Sequence, residues 1–168
     1  MASVQPLPVD PVQEAHRQWS AHGWEQAADG MAAITAIMRA QQIVQARVDE
    51  VLRPLNLTFS RYELLMLLHF SRTGALPVTR ASTRLQVHPT SVTNAVDRLE
   101  AAGLVRRLPH PTDGRGTLVQ ITDDGRAQAL AATEQLNARV FTDPGLPPRR
   151  LASLMSGLRE LRRGAGDF

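Results

Sequence analysis

Apolar positions recur at helical spacing along most of this chain and switch to strand-like alternation in one short stretch, residues 104–122. The first ten residues hold Pro6 and Pro8 and show no period, which predicts a loose tail. Asp10-Pro11 is a helix start, since an aspartate cap accepts from orphan amides and proline at the first helical position loses nothing; that helix runs to about Ala21 and Gly23 breaks it. From Trp24 a longer helix carries Met31, Ile34, Met38, Gln41, Val44, Val48, Val51 and Leu55 on one stripe. Pro54 ends it near Leu52, because its ring and missing amide exclude continuation.

Ser60 and Glu63 have capping-box spacing, and Phe59 with Leu64 can form the hydrophobic staple, so a helix is expected from Phe59 to about Arg72, closed by Gly74. Its Leu64–Leu68 run is apolar on every side, the mark of a core element. Two short helices follow. The first spans Thr79 to Leu85 with Thr79 as cap; the second starts at His88-Pro89 and runs to Ala102 before Gly103. In the second, Val92, Ala95, Val96 and Leu99 share one face, leaving Thr90, Ser91, Thr93, Asn94, Asp97 and Arg98 on the other.

Leu104–Leu108 and Thr117–Thr122 then alternate, with a loop rich in proline and glycine between them, which predicts a β-hairpin. Thr122-Asp123-Asp124 starts a helix to about Phe141, with both carboxylates where the helix dipole favours them. Asp143–Pro148 interrupts it. A last helix carries Leu151, Leu154, Met155, Leu158 and Leu161 as a stripe. The expected fold is mainly α with a small β-hairpin wing: a winged helix-turn-helix lobe over 59–122, framed by helices over 31–55 and 123–162. Residues 1–30 form a tail and an extension helix, and 31–168 the main domain.

Composition narrows what such a fold can do. The chain has 168 residues and no cysteine, which removes disulfides, thiol nucleophiles and thiolate metal sites. The five histidines show no ligand spacing, so no metal or other cofactor is expected. No G-x-S-x-G, P-loop, G-x-G-x-x-G or H-E-x-x-H occurs to place a nucleophile and a base, so no catalytic residue is assigned and an enzyme is not expected. The longest apolar run is far short of the about 20 residues that span a bilayer, and Met1–Asp10 lacks a basic start followed by an apolar stretch. A cytoplasmic protein without membrane contact is therefore expected.

Every one of the 19 basic residues is arginine. Over residues 79–119 six arginines face three acidic residues, so this segment alone accounts for the net charge of +3. Such a local excess suits a polyanion, although a solvated surface would look the same. A major groove about 12 Å wide admits one helix, and short polar side chains let its backbone approach the base edges. Pro89, Thr90, Ser91, Thr93, Asn94 and Arg98 are the candidate base readers, with Arg106 and Arg107 at phosphates and Arg115 at a neighbouring minor groove. On the plainer reading Arg106 and Arg107 are solvated strand residues pointing to opposite faces.

Residues 92–107, with the run Asp97-Arg98-Leu99-Glu100-Ala101-Ala102-Gly103-Leu104-Val105-Arg106-Arg107, followed by Asp113-Gly114-Arg115 and Thr122-Asp123-Asp124-Gly125, resemble the MarR (multiple antibiotic resistance regulator) family. The resemblance implies a homodimer whose first and last helices intertwine on pseudo-palindromic double-stranded DNA, as a repressor or, less often, an activator. It also implies release by a small phenolic or anionic effector bound between the dimer helices and the lobe. It gives Arg115 the minor-groove role and Asp97 the task of orienting that arginine. The chain departs from the family where Asp113-Gly114-Arg115 stands for D-R-R, where Gln86 replaces a common turn glycine, and at Ala81 and Ser82. Tyr62, Met66, His69 and Phe70 are candidates for an effector pocket, although His69 reads first as a hydrogen-bonded core histidine. Trp19 and Trp24 are expected to anchor the N-terminal extension. A winged helix serving protein interaction or dimerisation without a DNA target is the rival reading.

Overall fold

The computed structural model describes residues 7–110 and 116–168. The chain divides into two compact units, one through Asp49 and one from Glu50 onward. In the first, α1 (Pro11–Ala21) is capped by Asp10, whose Oδ1 accepts from the Val12 amide at 2.9 Å. Gly23 turns the chain at φ +83°, and α2 (Glu25–Leu52) runs on without a break at residue 30. His16 Nε2 and Asp29 Oδ1, 2.8 Å apart, tie the two helices. Trp19 and Trp24 meet edge to face at 5.3 Å, with Trp24 exposed. Ile34, Ile37, Met38 and Val44 are exposed on α2.

The second unit holds the lobe. Its first helix, α3 (Phe59–His69), is capped by Thr58, whose hydroxyl accepts from the Arg61 amide at 3.4 Å; the expected cap, Ser60, lies inside the helix. It ends three residues before the expected Arg72, because both the amide and the hydroxyl of Ser71 turn back onto the Leu68 carbonyl. Leu64, Leu65 and Leu68 are buried, as an all-apolar run requires. Next come α4 (Val78–Leu85) and α5 (Pro89–Ala101). The cap of α4 is Pro77 with no side-chain hydrogen bond, and Thr79, expected there, lies in the first turn.

Strands β2 (Val105–Pro109) and β3 (Thr117–Ile121) pair antiparallel with Arg107 opposite Val119. A third strand that the pattern missed, β1 (Ala75–Pro77), adds to the far side of β3, giving the order β1-β3-β2. Three residues ending in proline carry no readable period. Leu76, buried opposite Val119, is what defines the strand.

Thr122 and Gly125 explain the start of α6 (Asp123–Leu136). The Thr122 hydroxyl accepts from the Gly125 amide at 3.0 Å and donates to the Gly103 carbonyl at 2.8 Å, binding α6 to the end of α5. A Cβ on Gly125 would overlap the Leu104 carbonyl oxygen, so the close approach requires glycine there. A π-helical turn (Asn137–Phe141) follows, then α7 (Pro148–Gly164), which has no buried residue. Among the described residues no helix is long and apolar enough to cross a membrane.

Candidate nucleic-acid interface

Two faces of α5 divide cleanly. Val92, Val96 and Leu99 are no more than 2% exposed, whereas Pro89, Thr90, Ser91, Thr93, Asn94, Asp97 and Arg98 are exposed. His88 caps the helix by accepting from the Thr90 amide on Nδ1 at 3.3 Å, and Pro89 occupies its first position, so the helix begins with its short polar side chains free of packing. Thr93 donates its hydroxyl to the Pro89 carbonyl at 3.1 Å and keeps its lone pairs outward. The six residues that the helical period placed outward are all exposed, and Pro89 at the helix start joins them.

Arg107 is the hub behind this helix. Its amide donates to Glu100 Oε1 at 2.9 Å, and its guanidinium binds both the Glu100 and the Asp97 carboxylates, joining β2 to α5. The hydrogen bond to Asp97, more than any other contact, holds the guanidinium above the usual arginine range. Asp97 therefore has a partner that the sequence pattern missed; Arg115, the partner expected for it, lies outside the described residues, as does Asp113. Glu100 was missed too, although its spacing of three from Asp97 places both carboxylates on one helix side. Arg106, on the opposite strand face, is exposed and donates Nε to Gln120 Oε1 at 2.7 Å.

Between α5 and the hairpin lies a cleft of about 570 Å³, walled by Val78, Thr79, Thr93, Arg107, His110 and Thr117. The His110 amide donates to the Gly116 carbonyl at 3.0 Å, closing the base of the hairpin loop. Arg80 and Arg84, one helical turn apart on α4, are both exposed and add cations that the motif reading passed over. The surface is cationic at its edges and hydroxyl-rich at its centre.

Of the four candidate effector residues, Tyr62 and Met66 converge on one α6 residue: Thr133 Oγ1 lies 3.0 Å from the Tyr62 hydroxyl and 3.3 Å from Met66 Sδ. Phe70 does not join them. Because α3 stops at His69, Phe70 falls at the cap, 74% exposed, with its ring on the edge of His69. His69 is half-buried and its buried Nδ1 has no hydrogen-bond partner among the described residues, unlike the hydrogen-bonded histidine expected.

A trihelical turn motif backed by a three-stranded sheet, with a polar helix face turned outward, defines a winged helix-turn-helix protein. The pattern of the MarR family matches residues 55–116. The HTH-type transcriptional regulator Mb0904 of Mycobacterium bovis is 30% identical over 133 residues, which cover 79% of this chain and 84% of that protein. Among solved structures, the MarR family transcriptional regulator Sco5413 from Streptomyces coelicolor is 51% identical, with a TM-score of 0.76 over 83% of this chain and 97% of that one. Sco3205, a MarR family regulator of the same organism solved in complex with DNA, is 25% identical, with a TM-score of 0.71 over 82% and 88%. This chain belongs to the MarR family: it is a transcriptional regulator and not an enzyme.

Proposed function

We propose that the protein binds a pseudo-palindromic stretch of double-stranded DNA as a homodimer, represses transcription from it, and is released by a small phenolic or anionic effector. The observation that carries this is the outward face of α5, seven exposed residues above three fully buried ones. Asn94 and Arg98 read base edges, Pro89, Thr90, Ser91 and Thr93 let the helix approach closely, and Arg106 meets phosphate. Arg107, held by two carboxylates, braces α5 against the hairpin, and Arg115 enters the minor groove. The exposed apolar residues of α2 and α7 supply the dimer contacts. Tyr62, Met66 and His69 flank the effector. The DNA complex of Sco3205 supports the duplex reading.

Selection of bound fragments from random and genomic duplexes tests the proposal. The enriched sites should hold two half-sites about one helical turn, roughly 34–36 Å, apart. Binding should weaken steeply with salt, and Asn94→Ala or Arg98→Ala should change which sequences are enriched. No enrichment at low salt would favour the rival reading, a winged helix that contacts only protein.

A further inference from the structure

Gln86 occupies the turn between α4 and α5 with φ +55°, a left-handed backbone that glycine adopts freely and a side chain resists. Strain of this kind persists where the side chain has work to do. Both ends of the Gln86 carboxamide are engaged by residues far along the chain. Its Nε2 donates to the Asp167 carbonyl oxygen at 2.5 Å, and its Oε1 accepts from an Arg162 guanidinium nitrogen at 3.3 Å.

The distal partners form a unit of their own. Arg162 Nε is paired with the Asp167 carboxylate, and the Arg162 and Arg163 guanidinium carbons stand 5.1 and 5.8 Å from the Phe168 ring centroid. The Asp167 amide closes back on the Arg162 carbonyl at 3.0 Å. This folds the end of α7 into a compact knot that presents one carbonyl and one guanidinium to Gln86. No residue of α7 is buried, and the hydrogen bonds at this knot join the helix end to the turn.

We propose that residues 162–168 form an intramolecular latch on the helix-turn-helix, with Gln86 as its keeper, and that the latch positions the start of α5. Only two residues separate Gln86 from Pro89, where the outward face begins. A displacement of α7 then pulls on the turn, and a displacement of α5 pulls on the end of α7. Gln86 is a positioning residue in this scheme, acting on base readers that it does not itself replace. The consequence for DNA rests on the function proposed above; the latch does not.

Hydrogen exchange followed by mass spectrometry on the full chain tests the latch without DNA. Arg162→Ala, 76 positions away from Gln86 in sequence, should speed exchange over residues 82–92 by threefold or more. Gln86→Gly relieves the left-handed strain, so it keeps the fold, and should speed exchange over 160–168 to a similar degree. Wild-type exchange in the distant segment of either variant would overturn the latch. On duplexes selected by the wild-type protein, Arg162→Ala should lower affinity severalfold with the salt dependence unchanged, as expected when a reader is mispositioned. A salt slope smaller by about one would instead mark a lost phosphate contact and overturn the positioning role. Failure of the wild-type protein to select any duplex would overturn the proposed function alone, and the exchange result would still decide the latch.

Discussion

Helices α5 and α7 carry apolar stripes of similar regularity, and the chain treats them in opposite ways. On α5, Val92, Val96 and Leu99 are 2%, 0% and 1% exposed; on α7, Leu154, Met155 and Leu161 are 44%, 49% and 51% exposed. The difference lies in what the rest of the fold supplies. α3 and β2 lie against α5, so its stripe is satisfied within one chain and its polar face is left to meet a ligand. On α7 no residue is buried, Leu151 and Leu158 are half-buried, and Leu154, Met155 and Leu161 stay exposed, an open stripe of the sort that the proposed second subunit would cover. A stripe in a sequence therefore says that a face wants a partner and not where the partner is. Fully burying a side chain such as Leu or Met is worth about 1.5–3 kcal/mol, which is the driving force the open stripe would offer to the proposed dimer, less the cost of association.

Charge placed on the open stripe should do the most damage. On the proposed dimer, Leu154→Asp combined with Leu161→Asp should halve the mass seen by sedimentation and weaken binding to a two-half-site duplex by 100-fold or more, since each lobe then binds without the effective concentration that its tether provides. An unchanged mass would mean that α7 is not the dimer contact. The matching change on the closed stripe, Leu99→Ala, should leave the mass alone and cost about 2–5 kcal/mol in urea unfolding at fixed protomer concentration. A loss under about 1 kcal/mol would mean that the α5 seat collapses around the smaller side chain, and that burial there matters less than the comparison with α7 implies.

What could be read in advance follows the same division between local and distant causes. Asp10-Pro11, His88-Pro89 and Thr122 are signals confined to a few residues, and each marks a helix start where the structure has one. Ser60 and Thr79 mislead because Thr58 and Pro77, just upstream, already have extended backbones that suit a cap. β1 escapes because three residues have no period, and only pairing to β3 makes them a strand. In the site, the outward face of α5 is legible from periodicity alone. The Arg107 brace is not: nothing in the sequence says that β2 folds back beside Asp97 and Glu100, and the same holds for Gln86 and Asp167, 81 positions apart. α3 ends three residues before the expected Arg72, so Phe70 stands at its cap with an exposed side chain.

The smallest effect tests whether the seat of α5 is complete. Glu63 on α3 borders a hollow of about 50 Å³ that also touches Leu85, Ser91, Val92 and Ala95, and partial burial raises its carboxyl above the usual 4.5. Burial disfavours the charged form, so in the window from 4.5 up to the raised value the folded chain holds more proton than the unfolded one. Stability from this group accordingly falls as pH climbs through that window, and the full penalty stands above it. Glu63→Gln removes the charge while keeping the shape. Because much of the side chain still meets water, the gain is modest: Tm at pH 7 should rise by about one degree, and the advantage should vanish below pH 4.5. A gain that is equal at both pH values would come from packing or a new hydrogen bond and not from the buried charge. A loss at pH 7 would mean that the carboxylate holds α5 in place, making the polar rim of the α5 seat as important as its apolar floor.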